Sequence, residues 1–279
     1  MDAVLQVDYH IHTHYSDCTR RPGGDEMSVE HIVPAAASAG LRSIGLSDHL
    51  YKFTDPGIIG KLRRELHQWQ HALERSRRTT GAYSVFESLL NVNILVGCEA
   101  DVVSPEEVSI DEALAESLDF VLISFTHFQI PYVEIPLSLD PNDVAAHYLR
   151  MFERAVETRF ATAVAHPFCT YQNILGNVPV ILSKISDAQL VALLEQAKEN
   201  HIAMELTPKA FSPYMGDCML RFYALCKRVG VKLIFGSDAH RLSTLGINRR
   251  VWDKVAELDL APEDFVVLPT TARYEPAPA

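Results

Sequence analysis

Short apolar segments rich in β-branched residues recur along the chain, and most of them end in a polar turn that carries His, Asp or Glu. Segments of this kind are typical of parallel β-strands that are buried on both faces. Amphipathic stretches of helical period separate them, so the pattern predicts an α/β fold with a parallel sheet and right-handed crossovers. The seven predicted strands are Val4–Ile11, Arg42–Leu46, Asn93–Gly97, Phe120–Phe125, Ala161–Ala165, Ile202–Leu206 and Val231–Phe235.

The stretches between the predicted strands carry helix-capping signals. Ser186 and Gln189 have the spacing of a capping box, and Gly40 and Gly230 directly follow two helical segments. We interpret residues 1–269 as a single domain, because no repeat or linker interrupts them, and residues 270–279 as a frayed tail. The predicted helices are Ser28–Ala39, Ile59–Arg78, Pro141–Thr158, Ser186–Asn200 and Cys218–Val229.

Composition excludes some classes of function. The 36 acidic and 25 basic residues give a formal net charge of −11, which argues against a protein held on nucleic acid by phosphate contacts. The 5 cysteines include no CxxC pair, so a reducing cytoplasm is favoured over a disulfide framework. The N-terminus has no basic leader, and no apolar run approaches the ~20 residues of a membrane span. We therefore expect a cytoplasmic protein.

The histidines concentrate at the ends of the predicted strands. His10 and His12 are two residues apart in the first strand and therefore project to the same side, and Asp238 and His240 repeat this spacing after the last strand. Six of the seven strands deliver His, Asp or Glu to one edge, which is the active-site face of a closed α/β barrel. In an open sheet these ligands would lie along a row. Their concentration favours a barrel, a choice that periodicity alone leaves open.

Imidazole and carboxylate groups without cysteine suit Zn, Mn or Fe rather than an iron–sulfur cluster. The candidates are too many for one ion and indicate two or three divalent ions. The candidate ligands are His10, His12, Asp17, His49, Glu99, His127, His166, Asp238 and His240. His14 lies in the first ligand loop and either joins them or points away. The histidines interpreted as solvated or packing residues are His31, His67, His71, His147 and His201.

The ordered motifs DYHIHTHYSD, GLSDH, GCEAD, THF, AHP and GSDAH closely resemble those of the PHP (polymerase and histidinol phosphatase) superfamily. The resemblance spans about residues 5–245 and is greatest to the histidinol-phosphate phosphatase-like branch. It implies a distorted (β/α)7 TIM-like barrel, in agreement with the seven predicted strands. It also implies a phosphatase that hydrolyses phosphate esters at a site of two or three metal ions.

The resemblance further implies how the candidate ligands are shared. The first ion would be held by His10, His12, Glu99 and Asp238. The second would be held by Glu99, His127 and His166, with Glu99 bridging, and the third by Asp17, His49 and His240. A water between the first two ions would lose a proton near neutral pH and attack phosphorus. Asp238 and His240 are also the candidates for proton relay, as catalytic groups.

The basic residues near these motifs are candidates for holding the substrate phosphate. They are Arg20, Lys209 and Arg241. We expect a small phosphorylated substrate, with L-histidinol phosphate as the candidate, and neither nucleic acid nor membrane as a partner. The sequence leaves the oligomeric state open.

Other functions compete with a small-molecule phosphatase. A phosphodiesterase or an oligonucleotide phosphoesterase of the same superfamily is one alternative, although the chain lacks a basic face. A non-catalytic binding module is another, but every ligand position carries a competent residue. Hydrolysis of a C–N bond by a related metal barrel is disfavoured because no lysine stands where a carboxylated bridge would be expected.

Overall fold

The computed structural model describes residues 6–20, 26–80, 83–170, 174–215, 217–246 and 249–269. Within them the strands are β1 (Val7–Ile11), β2 (Ser43–Leu46), β3 (His49–Leu50), β4 (Asn93–Val96), β5 (Cys98–Ser104), β6 (Glu107–Val108), β7 (Val121–Ser124), β8 (Ala163–Val164), β9 (Ala203–Leu206) and β10 (Leu233–Phe235). The helices are α1 (Val29–Ser38), α2 (Gly57–Thr80), α3 (Tyr83–Leu90), α4 (Glu112–Ala115), α5 (Pro141–Glu157), α6 (Val178–Leu182), α7 (Asp187–Glu199), α8 (Cys218–Val229) and α9 (Arg249–Glu257). The expected frayed tail, 270–279, lies outside the described residues.

The strands pair in parallel, apart from the short antiparallel β6 beside β5. The line of β2 continues into β3, and the line of β4 continues into β5. Hydrogen bonds cross both breaks, since Gly97 N donates to Leu46 O at 2.9 Å and Glu99 N donates to Asp48 O at 3.0 Å. The lateral order is therefore β1, β2 with β3, β4 with β5, β7, β8, β9 and β10.

The first and last strands of this row meet at a narrow seam. Ile11 and Ala239 form a parallel bridge. His12 N donates to Ala239 O at 3.0 Å, and Ala239 N donates to His10 O at 3.0 Å. The predicted TIM-like α/β fold is confirmed, and its seam is one bridge instead of a full ladder. The loop after β10 is thereby placed against the histidines of β1.

The side chain of Asp8, in β1, forms hydrogen bonds across this seam. Its buried carboxylate accepts hydrogen bonds from Ser237 N at 2.9 Å and from Gly246 N at 2.8 Å.

We expect Asp8→Ala to lower the free energy of unfolding by about 2 to 4 kcal/mol, because both amides lose their partner inside the protein. Burial raises the pKa of Asp8 to about 6, so its carboxyl group is ionised in the folded protein above that pH. Thermal melting above pH 6 would therefore measure the loss for the carboxylate form. Asp8→Asn keeps one acceptor and should lose less, whereas an unchanged Tm for Asp8→Ala would contradict the prediction.

The helices pack outside the strands in two apolar clusters. In one cluster, Phe125 stacks on Phe152 with ring centroids 5.1 Å apart, and Phe168 meets both rings edge-on. The other cluster packs α1 and α2 against β2 and β4. The predicted capping box of Ser186 and Gln189 begins α7. Within the described residues, no helix is both long enough and apolar enough to cross a membrane.

Candidate metal centre

One buried carboxylate, that of Glu99 in β5, lies at the centre of the predicted ligand set. Its side chain is 1% exposed, and five imidazoles surround it. The shortest distances from a Glu99 oxygen are 2.7 Å to His166 Nε2, 3.0 Å to His49 Nδ1, 3.2 Å to His10 Nε2, 3.4 Å to His12 Nε2 and 3.5 Å to His127 Nε2. A carboxylate contacted from both oxygens is positioned to bridge two cations.

The alternation of β1 brings its two histidines together. His10 and His12 project to the same side, as predicted, with their Nε2 atoms 3.1 Å apart. Asp238 Oδ1 lies 3.2 Å from His12 Nε2 and 3.7 Å from His10 Nε2. Asp238 has a φ of 55° and His166 a φ of 27°, so both lie in the left-handed region that residues other than glycine rarely adopt. Backbone strain of this kind is concentrated at functional sites.

Burial and charge divide the imidazoles into two groups. Burial lowers the pKa of His166 to about 4, and it also lowers the pKa values of His12 and His49. Burial acts in the same direction on His10 and His127, but neighbouring carboxylates outweigh it and raise both pKa values, that of His10 to about 10. The first three imidazoles are thus neutral near pH 7, which is the form that binds a metal.

His240 is the imidazole of the cluster nearest to solvent, with 30% of its side chain exposed. Its ring centroid lies 4.4 Å from that of His12. Its Nδ1 lies 2.9 Å from Asp238 O, which fixes the ring orientation. Burial, followed by repulsion from His12, lowers the pKa of His240 to about 2. His240 is therefore a neutral imidazole at the mouth of the cluster.

The polar atoms of this site suit divalent cations. Within the described part of the chain, Glu99 Oε2, Asp238 Oδ2 and His49 Nδ1 are buried and make no hydrogen bond of good geometry. They nevertheless have close polar neighbours, since Glu99 Oε2 and His49 Nδ1 lie 3.0 Å apart and Lys209 Nζ contacts Asp238 Oδ2. Several neutral imidazoles around one buried carboxylate leave nitrogen lone pairs that a cation would satisfy. Ligand atoms lie within 4.8 Å of one another in three groups. These groups are His10 with His12 and Glu99, His49 with Glu99 and His127, and His12 with Cys18, His49 and His240.

The structure does not bring Asp17 into the cluster. The carboxylate of Asp17 is 88% exposed and lies 3.0 Å from Arg20 Nη1. Asp17 begins a 3-10 turn that ends at Thr19, and it faces solvent there, whereas the next residue, Cys18, lies among the imidazoles. Burial raises the pKa of the Cys18 thiol to about 12. No cysteine was among the candidate ligands predicted from the sequence, although Cys18 lies in the first ligand loop, next to the predicted Asp17.

Glu205 is a buried acid that the sequence analysis missed. Its Oε1 lies 2.7 Å from His10 Nδ1, and its Oε2 accepts a hydrogen bond from His166 N at 2.5 Å. A Cβ at Gly236 would overlap Glu205 Oε1, so glycine is needed there for this approach. Glu205 thereby orients His10 so that Nε2 faces Glu99. Its place in β9, on the same edge as the other ligands, is the signal that could have identified it.

We expect Glu205→Gln to weaken metal binding by roughly 10- to 100-fold, because a partner that orients a ligating histidine contributes about that much. The exchange keeps the volume of the side chain and removes the charge beside His10. Titration of the metal-free protein with Zn²⁺, followed by calorimetry, would measure the affinity. Glu195→Gln, on the outer helix α7, is the matched control. An affinity equal to that of the unaltered protein would remove Glu205 from the site.

Asp101 has the same relation to His127. Asp101 Oδ1 lies 2.7 Å from His127 Nδ1, so the other ring nitrogen is directed toward Glu99. Asp101 follows Glu99 by two residues in β5 and therefore projects to the same side of the strand. That spacing, visible in the motif GCEAD, is a signal the sequence analysis did not use.

The predicted phosphate-binding residues differ in position. Lys209 Nζ contacts Asp238 Oδ2, and 44% of the Lys209 side chain is exposed, so this lysine lies at the mouth of the cluster. Arg20 faces outward, where its Nε donates to His14 O at 2.9 Å and its guanidinium pairs with Asp17. Arg241 is exposed at the start of the 3-10 turn Leu242–Thr244.

The remaining histidines lie outside the cluster. His14 points away from it, with Nε2 3.5 Å from Glu65 Oε2. His147 is buried in α5, where Nε2 lies 2.9 Å from Glu134 O. The others lie in or beside helices on the surface: His31, His67, His71 and His201.

The chain is similar to known proteins along most of its length. A family model described as PHP domain matches residues 8–209. A probable phosphatase of Caldicellulosiruptor bescii is 25% identical over 266 residues, which cover 94% of this chain and 91% of that protein. A probable phosphatase of Acetivibrio thermocellus is 25% identical over 284 residues, covering 96% and 93%.

Among solved structures, the fold is similar to that of a histidinol phosphate phosphatase from Lactococcus lactis, crystallised with zinc, L-histidinol and phosphate. The TM-score is 0.58 at 18% sequence identity, and the match covers 91% of this chain and 92% of the other. At this level of identity the likeness establishes the fold alone.

Proposed function

This chain belongs to the PHP domain family, and on that premise we propose that it is a metal-dependent phosphoesterase that hydrolyses a phosphate monoester of a small molecule. The observation that carries the proposal is the buried Glu99 carboxylate with five imidazoles around its two oxygens. The probable phosphatases that match nearly the whole chain support the same class of reaction.

Two overlapping sets of side chains would hold the first two ions. One set is His10, His12, Glu99 and Asp238, and the other is Glu99, His127 and His166. Divalent ions in such a site polarise phosphoryl oxygens and lower the pKa of water toward neutrality. Glu205 and Asp101 would orient the imidazoles of His10 and His127 toward Glu99.

Groups at the mouth of the site would handle protons and phosphate. His240 Nδ1 is engaged by Asp238 O, so Nε2 is the nitrogen left to accept or donate a proton. We therefore assign proton relay to His240, with Asp238 as its support. Lys209 and Arg241 would contact phosphoryl oxygens from the exposed side, where an ammonium or guanidinium group gives charge-assisted hydrogen bonds.

We expect Lys209→Met to raise the KM for the phosphate ester about tenfold and to change kcat less, because the ammonium group contacts the phosphate before and during the reaction. Steady-state kinetics would measure both constants. Lys61→Met, a change in another half-exposed lysine on α2, is the control. A KM that stays at the value of the unaltered protein would remove Lys209 from the substrate site.

The experiment that tests the function is phosphate release from a panel of esters after reconstitution with Mn, Zn or Fe. The panel contains L-histidinol phosphate, sugar phosphates, mononucleotides and a phosphodiester. Selective turnover of a monoester is the expected result, and L-histidinol phosphate is the first candidate because of the branch that the motifs resemble. Preference for the diester would favour the phosphodiesterase alternative. No release from any ester would overturn the proposal.

A further inference from the structure

We propose that α2 and the neighbouring residues 111–119 form a self-complementary surface through which two copies of this chain pair about a twofold axis. Helix α2 carries six basic and two acidic residues, in a chain whose formal net charge is −11. Residues 111–119, which include α4 and are called the acidic segment below, carry four acidic residues and no basic one. The two surfaces therefore have opposite charge.

The solvent-exposed residues of α2 lie along one face of the helix. Each follows the previous one by three or four residues, which is the spacing of a single helix face. The two glutamates of α2, Glu65 and Glu74, are less exposed, and Glu65 accepts a hydrogen bond from Val29 N at 3.0 Å. The face extends for about 26 Å along the helix axis. We call it the basic stripe, and its residues are Lys61, Arg64, Gln68, His71, Arg75 and Arg78.

Most of these charges have no partner of opposite sign within one copy of the chain. Among the described residues, the basic stripe forms one ion pair, between Lys61 Nζ and Asp55 Oδ2 at 3.8 Å. The arginines of the stripe form none, and neither do two exposed acids of the acidic segment, Glu112 and Glu116. Charges of both signs are thus available to a partner of complementary charge.

The basic stripe and the acidic segment lie side by side. Arg63 Nη2 donates to Ser117 O at 2.6 Å, which joins α2 to the acidic segment. A twofold axis in the contact plane places the stripe of each copy against the acidic segment of the other. Both contacts then form at once, and the assembly closes at two copies. This adjacency favours a second copy as the partner, because an unrelated polyanion would match the stripe and be repelled by the acidic segment.

The area and the chemistry of this surface predict a weak dimer that is sensitive to salt. The helix and the segment beside it cover roughly 500 Å² on each copy, which is at the lower end for specific interfaces. Exposed ion pairs contribute little individually, and salt screens them. We therefore expect a Kd in the micromolar range that rises about tenfold or more between roughly 0.05 M and 0.5 M salt.

Sedimentation velocity of the full chain over a range of concentrations tests the proposal. Arg64→Glu with Arg75→Glu makes both surfaces acidic, and Glu112→Lys with Glu116→Lys makes both surfaces basic. Each of these variants alone should be monomeric at concentrations where the unaltered protein is dimeric. An equimolar mixture of the two should restore the dimer, because each reversed surface then meets its complement.

The matched control is Lys184→Glu with Arg228→Glu, which reverses two exposed charges outside both surfaces and should pair like the unaltered protein. Circular dichroism checks that every variant keeps its fold. An unaltered protein that stays monomeric at low salt, a mixture that stays monomeric, or a dimer that salt does not weaken would overturn the proposal. Binding of a single-stranded oligonucleotide to the stripe, without pairing of two copies, would also overturn it. No candidate metal ligand lies on either surface, so the result does not depend on the proposed phosphoesterase activity.

Discussion

Replacement of Glu99 by glutamine is expected to lower turnover of the best phosphate ester by on the order of a thousandfold or more. Glu99 is the group that both predicted ion sets share, and its two oxygens face opposite groups of imidazoles. An amide keeps one acceptor oxygen but replaces the other with a donor NH₂, and it carries no charge. Any two cations held by the two oxygens of Glu99 would then lose the negative charge that offsets their mutual repulsion.

Two readouts separate the role of Glu99 from a general loss of structure. Elemental analysis of the purified protein should show fewer bound ions for Glu99→Gln, while circular dichroism should show the same secondary structure. Glu107→Gln, at the outer end of the sheet where Glu107 pairs with Lys52, is the control and should keep both metal and turnover. Full metal content with turnover within tenfold of the unaltered protein would contradict the bridging assignment.

Replacement of His127 by alanine has the next largest expected effect, a loss of turnover of roughly 100- to 1,000-fold together with the second ion. His127 follows β7 and approaches Glu99 Oε1 at 3.5 Å, while Asp101 orients its ring from behind. The fold should survive, because His127 lies in a loop and its imidazole faces the cluster. Elemental analysis and steady-state kinetics would measure the two losses.

His147→Ala is the matched control for this variant. His147 is a buried imidazole that contacts the backbone oxygen of Glu134 and takes no part in the cluster. We expect it to lower the Tm without changing the number of bound ions. If His127→Ala retains all of its metal, the second ion is held without His127 and the proposed ligand set is wrong.

The strand pattern and the candidate ligands could be read from the sequence because both depend on local chemistry. A run such as Phe120–Phe125 predicts a buried strand by its composition, and β7 lies within it. The spacing of His10 and His12 places them on one side of any strand, whatever the rest of the fold does. In a parallel sheet the carboxyl ends of all strands lie at the same edge. The residue types that follow those ends, and hence the types of ligand at the site, were therefore predictable.

The sequence shows which strand carries each orienting acid, but it does not show which distant group that acid contacts. Glu205 lies 195 residues from His10 along the chain, and only the closure of β9, β10 and β1 brings the two side chains to 2.7 Å. Asp8 accepts a hydrogen bond from the nearby His10 N, but the bonds that link it across the seam come from Ser237 N and Gly246 N, more than 200 residues away. Such pairs depend on the packing of distant strands.

By itself, the sequence determined the alternation of strands and helices and the delivery of imidazole and carboxylate groups to one edge. Only the tertiary structure decided that Glu99 lies between five imidazoles and that Cys18, not Asp17, faces them. The physical reason is geometric. In a 3-10 turn, neighbouring side chains point about 120° apart. Two consecutive residues such as Asp17 and Cys18 can therefore face the solvent and the cluster, respectively. Hydrogen bonds from Thr13 and Ser16 to Asp48, which lies some thirty residues away in sequence, decide which of the two faces inward.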